Sequence, residues 1–147
     1  MYRATPWESY RQTAMLTAPP GQLILLLFEG AIQAIERGLE GFSRADLAEL
    51  NMTVNNNFQR AQNIIRELNV TLDMEKGGVI AATLRPLYDY FDQRLTESNL
   101  RKNRHGADEV LAHLKELREA WATMLRQGEP PATSSPLTQN DALLAAN

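Results

Sequence analysis

Residues 20–42 read PGQLILLLFEGAIQAIERGLEGF, and this stretch decides the fold. Its consecutive apolar residues Leu23, Ile24, Leu25, Leu26, Leu27 and Phe28 point all around a helical wheel, because successive helical residues lie about 100° apart. One face of such a helix can enter a core, and something else must cover the rest. Spare apolar surface on a rigid helix marks a binding platform, with a partner's helix as the missing cover.

Working outward, three further segments show helical periodicity and none shows strand alternation. The first helix, about 20–42, opens at Pro19-Pro20, where proline suits a first turn whose N–H has no partner. The second, about 45–72, carries an apolar stripe of Leu47, Leu50, Val54, Phe58, Ala61, Ile65, Leu68 and Leu72 at spacings of three and four. Gly77-Gly78 separates it from a third helix, about 79–103, with Ile80, Leu84, Leu87, Tyr88, Phe91 and Leu95 on one side. Pro86 inside that helix predicts a kink or a division into a short and a longer piece. After a polar turn at residues 103–106, a fourth helix is expected from Ala107 or Asp108 to about Leu125, with Val110, Leu114, Leu117, Trp121 and Leu125 inward and Asp108 and Glu109 suiting its dipole. Short connections imply antiparallel neighbours, so the fold class is all-α, an antiparallel up-and-down four-helix bundle. Residues 1–127 form its domain. The segment 1–16 carries Tyr2, Trp7, Tyr10, Met15 and Leu16 and is expected to lie against the bundle as a mobile cap or a permanent cover. Residues 128–147, rich in Pro, Ser and Thr, are expected to be a disordered tail.

Composition narrows the functional classes. The 147 residues suit one domain. A formal net charge of −3 offers no basic field for nucleic acid or anionic lipid. The absence of cysteine removes disulfides and thiolate chemistry and fits a reducing cytoplasm. No signal peptide is recognisable, and the apolar run at Leu23 is far below the roughly 18 residues of a membrane span, so stable membrane insertion is not expected.

Bundles often hold di-metal sites, but those need Glu-x-x-His on two helices. Here His105 falls in a turn and His113 follows Glu109 by four positions, so no metal or other cofactor is expected, and those two side chains would at most pair across one helical turn. Gly77-Gly78 lacks the lysine of a phosphate loop, and no serine has a histidine at a triad spacing, so no catalytic residue is assigned. The second helix is more informative. Asn55, Asn56, Asn57, Gln59 and Gln62 put neutral amides where a solvated face would use Glu and Lys. Such a run is either a solvated face that lacks charge or a set of donors and acceptors that fixes the register of a docked peptide.

Taken in order, the residues resemble the flagellar secretion chaperone FliS family, the export chaperones of flagellin. The resemblance spans roughly residues 1–125. It rests on Met1-Tyr2 with Tyr10, TAPPGQLILLLFEGAI at 17–32, NNNFQRAQNIIRELN at 55–69, DMEKGG at 73–78, LYDYFDQRL at 87–95, SNLRK at 98–102 and LREAW at 117–121. Phe28 stands where many relatives have tyrosine, and Pro86 departs from the family pattern. The resemblance implies a cytoplasmic four-helix bundle that binds the C-terminal region of flagellin, prevents premature polymerisation and presents the subunit to the export gate component FlhA. In this chain the guest groove is expected from Leu23 and Leu27 with Ile64, with polar contacts from Asn55, Asn56 and Gln62. Tyr10 and Leu16 are expected to shield that groove until the guest arrives, leaving Trp7 and Tyr10 for the export gate. Such a chaperone is expected as a monomer or weak homodimer; the competing reading is a structural or regulatory bundle that homodimerises through its exposed apolar face.

Overall fold

Polar and glycine-containing connections divide the chain where the sequence pattern places them. The computed structural model describes residues 20–72 and 78–128. Among these residues there is no strand and there are four helices, α1 (Pro20–Gly41), α2 (Leu47–Thr71), α3 (Gly78–Arg101) and α4 (His105–Arg126). Asp46 caps α2, its carboxylate accepting the N–H of Ala48 at 3.2 Å, which satisfies one of the free donors of a helix start. At the end of α3, Lys102 takes a left-handed φ of 49°. The N–H groups of Lys102 and Asn103 then reach the carbonyls of Asn99 and Ser98, the pairing that closes a helix by a left-handed turn. The Lys102 ammonium adds a bond to the same Asn99 carbonyl at 2.7 Å.

The helices form a ring. Each packs on its neighbours in sequence, and α4 closes against α1, while among the described residues the backbones of diagonal helices stay apart and only their side chains meet in the core. Cross-links fix the directions. Between α2 and α3, Asn55 pairs with Asn99, Gln62 with Asp92 and Asn69 with Asp89, so numbers rise on one helix as they fall on the other. Between α1 and α4, the Trp121 indole N–H donates to the Gly21 carbonyl at 2.9 Å, and Lys115 pairs with Glu36. The result is the expected antiparallel up-and-down bundle, which has a pole of α1–α2 and α3–α4 connections and an opposite pole where α1 begins and α4 ends. Phe58, Phe91, Leu27, Ile35, Ile65, Leu68, Leu95 and Leu114 fill the core.

Two glycines set how closely helices approach. A Cβ at Gly38 of α1 would run into the Phe58 ring, and one at Gly106 of α4 would lie 2.8 Å from the Arg94 carbonyl of α3. Gly106 was expected in the turn before α4, yet the helix begins at His105 and carries Gly106 buried in its first turn. The pattern placed the start later because glycine reads as a breaker, whereas here it admits the α3 backbone. α3 runs through Pro86 undivided. Both Pro86 and Ala82, whose carbonyl the missing N–H leaves free, are exposed, so water can take the lost bond. Leu47, expected in the core stripe of α2, is 72% exposed because it occupies the first helical position, beyond the end of the packed α1.

The apolar excess of α1 is largely absorbed by its position. Because α2 and α4 flank it on two sides, Leu26, Leu27 and Phe28 are all buried. Only Leu23, Ile24 and Leu25 of the run remain half-buried, at the pole where α1 begins.

Candidate partner-binding site

Among the described residues three recesses open between helices, two of them at that pole. The first lies between α1 and α2 and is walled by Leu23, Leu27, Val70 and Thr71 with the polar Asn63, Arg66 and Glu67. Leu23 and Leu27 thus meet in one groove, as the pattern of α1 suggests. Their roles differ from the expectation that both are spare. Leu27 is 2% exposed and belongs to the core, showing the groove only an edge. Ile64, 5% exposed, is also core, because it sits on the α2 face turned inward beside Ile65 and Leu68. Val70, 82% exposed, is the apolar α2 residue that the groove offers in its place.

From Val70 an exposed stripe runs along α2 through Arg66, Asn63, Gln59 and Asn56 to Met52 at spacings of three and four. This stripe borders a second, polar recess on the α2–α3 seam, where Asn55, Gln62, Thr96 and Asn99 meet beneath the exposed Leu100. The amides here divide by role. Gln62 is buried, and its Nε2 donates toward the Asp92 carbonyl at 3.0 Å, the Asp92 carboxylate at 2.8 Å and the Thr96 hydroxyl at 2.7 Å. Its donors are spent on holding α3, which corrects the expectation that they face a guest. Asn55 accepts from Asn99 at 2.9 Å and is half-buried. Asn56, Gln59 and Asn63 are exposed. The seam is completed by Arg66, whose guanidinium lies 3.2 Å from Asp92, and by Asn69, which donates to Asp89 at 2.9 Å.

The third recess was not anticipated. Between α3 and α4, Val79, Ile80, Leu84, Leu87, Leu117, Trp121 and Met124 surround a cleft of about 160 Å³ with Phe28 of α1 at its floor and Thr83 as its one polar wall residue. Leu84, Leu87 and Leu117 read as core from their spacing, and spacing cannot show that α3 and α4 have the sparsest mutual packing in the ring. Toward the other pole this seam is shut by polar groups. Glu109 of α4 accepts from the Tyr90 hydroxyl at 2.7 Å and the Arg94 guanidinium at 2.9 Å. The Tyr90 hydrogen bond, with Arg94 behind it, holds the Glu109 carboxyl below the usual carboxylate range. Glu109 therefore reaches across to α3, and His113 lies against Phe91, its ring 5.7 Å away.

Among the described residues no cluster of His, Asp and Glu is suited to a metal, and no helix is long and apolar enough to cross a membrane. The expected cap residues Trp7, Tyr10 and Leu16, and the tail 129–147, lie outside the described residues.

Comparison with known proteins agrees with this helical platform. The family model described as flagellar protein FliS matches residues 3–128. The chain is 37% identical over 126 residues to a flagellar secretion chaperone FliS of Salmonella typhimurium, covering 82% of this chain and 90% of the relative. It is 32% identical over 116 residues to its counterpart in Bacillus subtilis, covering 79% and 83%, and 32% identical over 136 residues to that of Escherichia coli K12, covering 85% and 93%.

Proposed function

Because the chain belongs to the FliS family of flagellar secretion chaperones, we propose that it binds the C-terminal helical region of flagellin in the cytoplasm, keeps it from polymerising and delivers it to the export gate component FlhA. The observation that carries this reading is the α1–α2 groove of Leu23, Leu27 and Val70, continuous with the uncovered stripe on α2. An amphipathic guest helix lays apolar anchors into such a groove at spacings of three and four and meets polar groups along its rim. Ordering a disordered guest costs about 2–5 kcal/mol or more, and each fully buried leucine or isoleucine returns about 1.5–3 kcal/mol. A few anchors at the groove therefore suffice. Asn63 supplies the rim within the groove, Gln59 and Asn56 continue it along the exposed stripe of α2, and Asn55 lies beyond it in the α2–α3 recess. Gln62 acts indirectly, by keeping α3 in register against α2.

In the guest-free protein the segment with Trp7, Tyr10 and Leu16 covers the groove, and the guest displaces it. Displacement lowers the guest's apparent affinity by the free energy of the covered state, and it frees the aromatic residues for FlhA only when cargo is loaded. Titrating the full chain with the C-terminal segment of its host's flagellin tests the reading. Micromolar or tighter one-to-one binding, weakened by Leu23→Asp with unchanged helicity, is the expected result. No binding, together with a mass that rises with concentration, would establish the homodimeric bundle instead.

A further inference from the structure

The α3–α4 cleft is distinct from the α1–α2 groove, and it needs its own cover. We propose that it is covered by this chain's own segment after α4, with Leu143 and Leu144 as the inserted side chains. The wall of the cleft is nearly all apolar, and its volume of about 160 Å³ is close to that of engineered apolar cavities that take a benzene-sized guest. It has room for one or two leucine side chains. The α4 wall ends at Met124, four positions before Gly128. There a left-handed φ of 76°, with the Gly128 N–H on the Leu125 carbonyl at 3.1 Å, turns the chain off the helix axis about one helical turn beyond the last wall residue.

Beyond this turn the sequence EPPATSSPLTQ separates Gly128 from Asn140-Asp141-Ala142-Leu143-Leu144-Ala145-Ala146. Leu143 lies fifteen residues past Gly128, a length that reaches about 50 Å when extended, while the α4 wall from Met124 back to Leu117 is only about 10 Å long. Residues 142–146 carry no charge, so seating them buries none. A short tether also makes a weak contact effective, because the local concentration of the leucines reaches the millimolar range.

The test uses the full chain and its double variant Leu143→Asp/Leu144→Asp, compared by amide hydrogen exchange with circular dichroism as the folding control. Exchange at residues 79–87 and 117–124 is expected to quicken about tenfold, the effect of losing roughly one buried leucine, while α2 is unchanged. Unaltered exchange in the folded variant overturns the proposal. So does quickening at the cleft produced by Trp7→Ser/Tyr10→Ser and not by the leucine pair, which would make the segment before α1 the cover. Concentration-dependent protection of the cleft would make it a second copy of the chain. No flagellin is present in any arm, so the outcome is independent of whether the α1–α2 groove binds a guest.

Discussion

The α1–α2 and α3–α4 seams are closed by different means at the pole of the connections and open in the same direction toward the other pole. Where α1 meets α2, closure is by fit: the Phe58 ring occupies the space that a Cβ on Gly38 would take. Where α3 meets α4, closure combines the buried Gly106 against the Arg94 carbonyl with the Tyr90–Arg94–Glu109 cluster. Both seams then part toward the pole where α1 begins and α4 ends, uncovering Leu23 and Val70 on one side and Val79, Leu84 and Leu87 on the other. The difference teaches that the tightest closures of the bundle and the proposed binding groove lie toward opposite poles, so a substitution at the open pole is expected to have limited effect on stability.

The strongest way to break this division is at the fitted seam. Phe58→Ala should cost about 3–5 kcal/mol, read as a lower urea midpoint, because the ring is fully buried and its removal leaves a cavity against Gly38. Gly106→Ala should follow, at about 1–3 kcal/mol, since the added methyl meets a backbone carbonyl and not a side-chain end that can swing aside. A neutral result there would mean that α4 can retreat from α3 without loss.

Gln62→Ala sharpens the comparison by asking which job the α2 amides do. It should lower stability by about 1 kcal/mol, whereas Asn56→Ala should leave the midpoint unchanged and act, if anywhere, on flagellin affinity. The polar closure of the α3–α4 seam should show in the pH dependence. The folded carboxyl of Glu109 is held below the ordinary value of 4.5, so its contribution is full above that value and is lost as pH falls through the lower, folded one. The difference in urea midpoint between the wild type and Glu109→Gln should therefore shrink on acidification below the ordinary carboxylate range; a constant difference would show that the ionised form is not what matters. A small effect on stability is expected at the open pole as well. Leu23→Ser should shift the midpoint by no more than about 0.5 kcal/mol while reducing flagellin affinity. A large loss of stability would show that the groove is core.

Much of this arrangement was legible in the sequence, because a 3.6-residue period survives whatever the helix packs against. The stripe from Val54 to Leu68 reads directly as the inner face of α2. What periodicity cannot show is the separation between two helices. Leu84, Leu87 and Leu117 have core spacing and still line an open cleft, and Leu27 looks spare until α2 and α4 are both set beside α1. The amide run was likewise visible as chemistry but not as geometry. Whether an amide faces water or a neighbouring helix depends on which residue stands opposite, and only the α2–α3 register brings Asp92 and Thr96 to Gln62.

The bond from the Trp121 indole to the Gly21 carbonyl has a mechanical consequence. It joins the first turn of α1 to the last part of α4, at the pole from which the chain leaves the bundle at both ends. Tension applied between the first turn of α1 and the end of α4 therefore loads this contact early and peels α1 and α4 apart one turn at a time, instead of sliding them past each other along their full length. Peeling breaks contacts in sequence and needs far less force than shear. Resistance to pulling at this pole and resistance to urea are therefore separate properties of the bundle.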